Sequence, residues 1–218
     1  VLPIIRSCLE KAGAPAKAVA EGESISIAYE ALTSGSGYVR PEVKLEFGAR
    51  STGEPCAVMP VTCDATEHLS GLIFPKASPR VMRAERTFWE KATAIHVFCR
   101  QLRLRSERFA RHWHDLTRLD AAGYATRALN DRDLARAVAR HKALFFSEKD
   151  EAGNEIDYMA AISGDLQLVP EGKARERLEA DYDRMVEAGI LLDDVEPFNT
   201  VIERCHVIQE RVNAAARP

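Results

Sequence analysis

Glu85-Arg-Thr-Phe-Trp-Glu-Lys91-Ala-Thr-Ala-Ile-His96, continued by Arg111-His-Trp-His-Asp115-Leu116, is the stretch whose reading decides the fold. Phe88, Ala92, Ile95, Cys99 and Leu102 recur at three- and four-residue steps, as do Phe109, Trp113 and Leu116. That period predicts two helices that bury one stripe each and leave the intervening charges on their flanks. Lys91 and Asp115 stand beside large aromatics in these helices. Two readings of the pair are open: surface charges in ordinary ion pairs, or the place where chemistry is done.

Working outward, the charge is unevenly spread. Residues 80–118 carry a net of about +6 and residues 150–203 about −11, although the whole chain is only −3. A basic segment next to an acidic one suits a protein that meets a polyanion on one side, and equally a set of solvated helix faces. Toward the N-terminus, Leu2, Ile5 and Leu9 predict a short amphipathic helix over 2–12, stopped by Gly13 and Pro15. Ser24–Glu30 alternates Ile25, Ile27 and Tyr29 with small or polar residues, and Ser34-Gly-Ser-Gly37 is a flexible turn. In Pro41–Gly48, Val43, Leu45 and Phe47 face one way and Glu42, Lys44 and Glu46 the other. An antiparallel hairpin follows, its apolar side on a helix layer and its open side bearing a carboxylate–lysine–carboxylate ladder. Such a ladder either solvates a sheet face or offers an oxygen ligand to Mg²⁺.

Pro55–Thr62 is a candidate short strand, and Ile73–Arg83, interrupted by Pro75 and Pro79, is predicted to be an extended connector. Beyond the central helices, Asn130 or Asp131 can cap a helix carrying Leu134, Val138 and Leu144. Ala174, Leu178, Tyr182 and Met185 mark another helix ended by Gly189, and Val201, Ile202, Cys205, Ile208 and Val212 mark the last. The fold class is therefore α+β, with 1–84 as a small α/β region and 85–218 as a helical domain. Five scattered cysteines without a C-x-x-C pair fit a reducing compartment rather than a disulfide framework. No apolar run is long enough to span a bilayer, so a cytoplasmic protein with no membrane attachment is expected. The chain begins at Val1 rather than Met, which fits a piece of something longer.

Four stretches in this order resemble the AbiEii/AbiGii nucleotidyltransferase family, toxins of toxin–antitoxin and abortive-infection systems in the DNA-polymerase-β-like superfamily. They are Arg40–Gly48, Glu85–Lys91, Arg111–Leu116 and Leu178–Met185. The resemblance implies a partial nucleotidyltransferase sheet followed by a helical bundle. It also implies Mg²⁺-dependent transfer of a nucleotide from an NTP to RNA, tRNA in some members, with a cognate antitoxin as partner. Carried over by position, Glu46 is the acidic metal-binding residue of the strand motif that also holds Lys44. Lys91 is the lysine near the triphosphate, helped by Arg86 or Arg111, and Asp115 is the aspartate that holds Lys91 or a helix in place. The resemblance brings the acidic edge of the hairpin and Lys91 to one cleft. His112 and His114 read as structural or acceptor-contacting. The family's first motif, a Gly-Ser or Gly-Gly-Thr turn followed by D-x-D, is missing. Asp181-Tyr-Asp183 has that spacing but falls in a predicted helix.

The leading expectation is thus a truncated nucleotidyltransferase toxin, inactive as this chain alone. The alternative is a non-catalytic module whose basic helices at 80–118 hold RNA or an antitoxin. A third reading makes 120–218 a scaffold for a protein partner.

Overall fold

A computed structural model describes residues 1–33, 37–48, 50, 52–102, 107–191 and 195–216. The chain forms two compact units, Val1–Thr52 with Val186–Leu192, and Gly53–Met185 with Asp193–Pro218. The architecture is α+β, as the periodicities predict.

In the first unit, helix α1 (Leu2–Lys11) carries a proline in its first turn, where the missing N–H costs nothing. It is followed by strands β1 (Ala16–Glu21), β2 (Ser24–Tyr29) and β3 (Glu42–Glu46) in an antiparallel sheet of that order. The β2–β3 pairing sets Ile25 opposite Leu45 and Ile27 opposite Val43, so the alternating apolar residues share one face. Two corrections apply to the expected hairpin. A third strand, β1, pairs with β2; Ala-rich Ala16–Glu21 has too little apolar contrast to show a period of two. The helix layer also covers less than predicted. Arg6 of α1 donates through Nε and Nη2 to the Ala18 carbonyl at 3.2 and 3.0 Å, which ties α1 to β1. Ala18 and Ile25 are buried, while Val43 and Phe47, at the far side of the sheet from β1, stay about half exposed. Most of the predicted Ser34–Gly37 turn lies outside the described residues.

The second unit opens with β4 (Cys56–Val58) and β5 (Arg80–Met82), an antiparallel pair extended by a bridge between Val61 and Ala77. The segment expected to be a connector therefore contributes a strand. Its prolines precede the paired residues, and Pro79 still accepts from the Met59 N–H at 3.0 Å. Among the described residues seven helices follow: α2 (Ala84–Gln101), α3 (Arg111–Ala121), α4 (Tyr124–Asn130), α5 (Arg132–Phe145), α6 (Tyr158–Ile162), α7 (Gly172–Glu187) and α8 (Phe198–Ala215). Asp131 caps α5, accepting from the Leu134 N–H at 3.0 Å. The predicted stripes of α7 and α8 are all buried, and Phe88, Trp89, Ile95, Phe98, Trp113 and Leu116 complete the core. Two stripe residues are corrected. Leu102 ends α2 in the left-handed conformation (φ 52°) and is exposed, because the helix stops there. Leu144 is exposed because the buried face of α5 runs through Leu134, Ala135, Val138, Ala139 and His141 instead. Cys99 and Cys205 are buried, and burial pushes both thiols up, that of Cys205 to about 12.

One extended segment, Leu166–Leu168, runs through this core among helices rather than strands. Its three N–H groups and the carbonyls of Leu166 and Leu168 bond to side chains. Asn213 accepts from the Leu166 N–H at 2.9 Å and donates to its carbonyl at 3.0 Å. His96 Nδ1 accepts from the Gln167 N–H at 3.1 Å, and Gln209 from the Leu168 N–H at 2.6 Å. Trp113 Nε1 donates to the Leu168 carbonyl at 2.8 Å. His96 can do this only while Nδ1 is unprotonated, and burial lowers its pKa to about 4. The unfolded chain takes up that proton near pH 6.5, before the folded chain does. Stability is therefore full above about pH 6.5 and falls as pH drops toward 4, by up to about 3 kcal/mol for this group. Urea unfolding across that range should show a falling midpoint, and the slope should shrink in His96→Asn, whose side-chain oxygen can accept the same N–H without titrating.

Candidate active site

The residues singled out on α2 and α3 are positioned by buried polar contacts. Helix α3 starts at Ala110 with no side chain of its own to cap its first N–H groups. Asp181 of α7, wholly buried, accepts from the Arg108 N–H and the Ala110 N–H, each at 2.9 Å, with Arg184 at 3.5 Å. A carboxylate from 71 residues away thus holds the turn that leads into α3 and lies at the positive end of its dipole. Trp113 anchors the next turn to Leu168, and Trp89 Nε1 ties α2 to the Ala128 carbonyl at 3.2 Å.

With both helices fixed, Lys91 Nζ lies 2.6 Å from Asp115 Oδ2. Lys91 is 21% exposed and Asp115 38%, so the bridge sits at the edge of the core with its carboxylate end wetter. His112 Nδ1 is 3.4 Å from the same ammonium. Burial, then Lys91 and then Arg111, lowers the pKa of His112 to about 4, so near pH 7 the ring is neutral. With the proton on Nε2, Nδ1 serves as an acceptor toward Lys91. The side chain of His112 also packs edge-on against Phe109, with centroids 4.8 Å apart. The result is an ammonium held by one carboxylate and one neutral imidazole, able to offer its remaining proton to an incoming oxyanion.

The other predicted residues fall as follows. Arg111 is exposed at the start of α3, near enough for its charge to act on His112. Arg86 is buried at 4% exposure; its Nε donates to Glu90 at 2.9 Å and its Nη1 to the Glu54 carbonyl at 2.6 Å. His114 is half-buried, and burial lowers its pKa. Lys44 and Glu46 belong to the first unit, exposed and 2.8 Å apart on the open face of β3, where Glu42 accepts from the Ser26 hydroxyl at 2.8 Å. Mg²⁺ requires several oxygen ligands. Glu46 brings one carboxylate with an ammonium against it, and no group of three or more His, Cys, Asp or Glu suited to a metal ion occurs among the described residues. These residues do not by themselves fit a magnesium ion.

Two features escaped the sequence. Asp181 sits in a D-x-D spacing but faces inward, while Asp183 is exposed. Lys142 continues the four-residue steps of Leu134 and Val138; a lysine at an apolar position was the available signal. Burial lowers its pKa, and its Nζ lies 4.6 Å from the centre of the Phe146 ring.

The chain thus combines small antiparallel sheets with a helical unit that carries a lysine–carboxylate bridge near its surface. Residues 4–204 match the model of the nucleotidyl transferase AbiEii toxin, of type IV toxin–antitoxin systems. The chain belongs to the AbiEii nucleotidyl transferase toxin family. Membership implies a nucleotide substrate and an antitoxin partner. No curated protein sequence and no solved structure matches the chain. Among the described residues no helix is long and apolar enough to cross a membrane.

The two aspartates that touch α3 should differ in thermodynamic weight. Asp115→Ala breaks a partly exposed bridge and should cost about 1 kcal/mol or less. Asp181→Ala leaves two N–H groups without their acceptor at a buried helix start and should cost about 3 kcal/mol. Urea denaturation of both variants, with Lys91→Ala and the Lys91/Asp115 double variant closing a cycle, measures this order.

Proposed function

We propose that in the complete nucleotidyltransferase this chain's helical unit binds the triphosphate of an NTP at Lys91, for transfer of the nucleotide to RNA, with the end of tRNA as the acceptor. The observation that carries this reading is the 2.6 Å bridge between Lys91 and Asp115 at the solvent edge of α2 and α3, in a chain of the AbiEii family. Phosphoryl transfer asks the protein mainly for position and for charge opposite the phosphate oxygens. Lys91 supplies that charge on a side chain whose freedom is already restricted by Asp115 and His112, so less entropy is lost when phosphate arrives. Asp115 acts as a positioning residue. His112, neutral near pH 7, accepts from the ammonium and does not compete with it for phosphate. Arg111, exposed on the same helix, adds positive charge for the phosphates or for RNA. Arg86 contributes through the strand–helix junction it holds together, and Lys44 and Glu46 through the open face of the first unit's sheet. The lone carboxylate of Glu46, short of the several oxygen ligands a magnesium ion needs, supports the further reading that the chain alone does not carry out the transfer. The antitoxin of the family would oppose this activity in the cell.

Transfer of label from an α-labelled NTP to tRNA by the full-length protein tests the reading. Lys91→Ala should lower the rate by at least 100-fold while leaving the unfolding midpoint within about 1 kcal/mol of wild type. Labelling at the wild-type rate would remove Lys91 from the reaction.

A further inference from the structure

Beside the Lys91 bridge lies a hollow of about 140 Å³, lined mainly by apolar atoms of α2, α5 and their neighbours. Ala94, one turn beyond Lys91 on α2, forms part of its wall with Phe98, Phe109, Phe146 and Tyr158, and Lys142 lies at its side. Phe109 connects the hollow with the bridge, because its ring also packs against His112, which faces Lys91. The aromatic walls are fixed. Phe98 packs on Phe109 and Trp113 with centroids 5.3 and 5.1 Å apart, and the Tyr158 hydroxyl donates to the Phe146 carbonyl at 2.6 Å. At its polar end, Gln101 donates to Glu148 at 3.2 Å and to the Lys149 carbonyl at 2.7 Å.

We propose that this hollow receives the base of the nucleotide whose phosphates bind at Lys91. Three features of the site support the assignment. An apolar space of roughly 150 Å³ accepts one benzene-sized ring, so the six-membered ring of a nucleobase matches its volume. Aromatic walls favour a flat heteroaromatic ring through stacking and edge contacts, whereas an aliphatic ligand would gain only the burial of its apolar surface. The cations lie on the side where phosphates would follow: Lys91 is one helical turn away, and the charges of Lys91, Arg111 and Lys142 all act on His112. Lys142 also finds a reason here. A lysine held against Phe146 in a partly dry site suits either the ring face or an acceptor atom on the base edge. The assignment rests on the reading of Lys91 as a phosphate-binding residue and extends it from charge to shape.

The experiment separates the two. Calorimetry on this chain would compare an NTP with inorganic tripolyphosphate, which lacks the base, for wild type, Lys91→Ala, Ala94→Leu and Phe146→Leu. Ala94→Leu fills the hollow without touching the bridge, and Phe146→Leu keeps an apolar wall but removes its ring. Both should weaken NTP binding about tenfold and change tripolyphosphate binding less than twofold, while Lys91→Ala weakens both ligands. Circular dichroism and thermal unfolding confirm that each variant is folded. NTP affinity unchanged in folded Ala94→Leu and Phe146→Leu, with the Lys91 dependence intact, overturns the base site and leaves the phosphate reading standing. Binding of neither ligand in a Lys91-dependent way overturns both.

Discussion

A buried peptide segment without sheet partners must find its hydrogen bonds elsewhere, and Leu166–Leu168 finds them in side chains from three helices. Each unsatisfied backbone group in such a place would cost of the order of 1–3 kcal/mol. His96, Trp113, Gln209 and Asn213 are thereby held in place, and His96 in its neutral form. Helices α2, α3 and α8 are held at a common spacer. The separation between α2 and α3, and with it the short distance between Lys91 and Asp115, follows from this shared commitment more than from the bridge itself. A partly exposed ion pair is too weak to place two helices; it reports where the core has put them.

The same division of labour explains why the polar residues of the helical unit fall into two groups. Those facing inward, such as Asp181, His96 and the two tryptophan N–H groups, have their hydrogen bonds made inside the protein. Lys91, Asp115 and Arg111 keep part of their surface in water. His112 stands between the groups: buried enough to stay neutral, near enough to the edge to touch Lys91. A residue of the second group can exchange its partner for a ligand at little cost to the fold, which is what a binding site needs.

Much of this was legible in the sequence because it depends on period. The stripes of α7 and α8, the strands β2 and β3, and the helices bearing Lys91 and Asp115 all follow from the spacing of large apolar residues. The Lys91–Asp115 contact could be anticipated only through family resemblance, since residues 24 apart on different helices have no local code for meeting. Strand β1 was hidden because alanine packs on a sheet without announcing a face, and β5 because two prolines masked three paired residues. The side chains that serve Leu166–Leu168 were invisible for a plainer reason. A glutamine or asparagine on the inner edge of a helix looks like any solvated polar residue until its acceptor is known.

Asp181-Tyr-Asp183 shows how far spacing can mislead. On a strand, residues two apart share a face, and a D-x-D there can grip one cation with both carboxylates. On a helix the same residues diverge by about 200°, because each step turns about 100°. In α7 the first aspartate is accordingly buried against the start of α3 and the second lies in water. The spacing is that of a metal motif, but the helix separates its two halves, and the buried one holds the turn into α3, the helix that carries Asp115. Which carboxylate serves the fold and which can meet a ligand is thus decided by burial and by the period of the element that carries it.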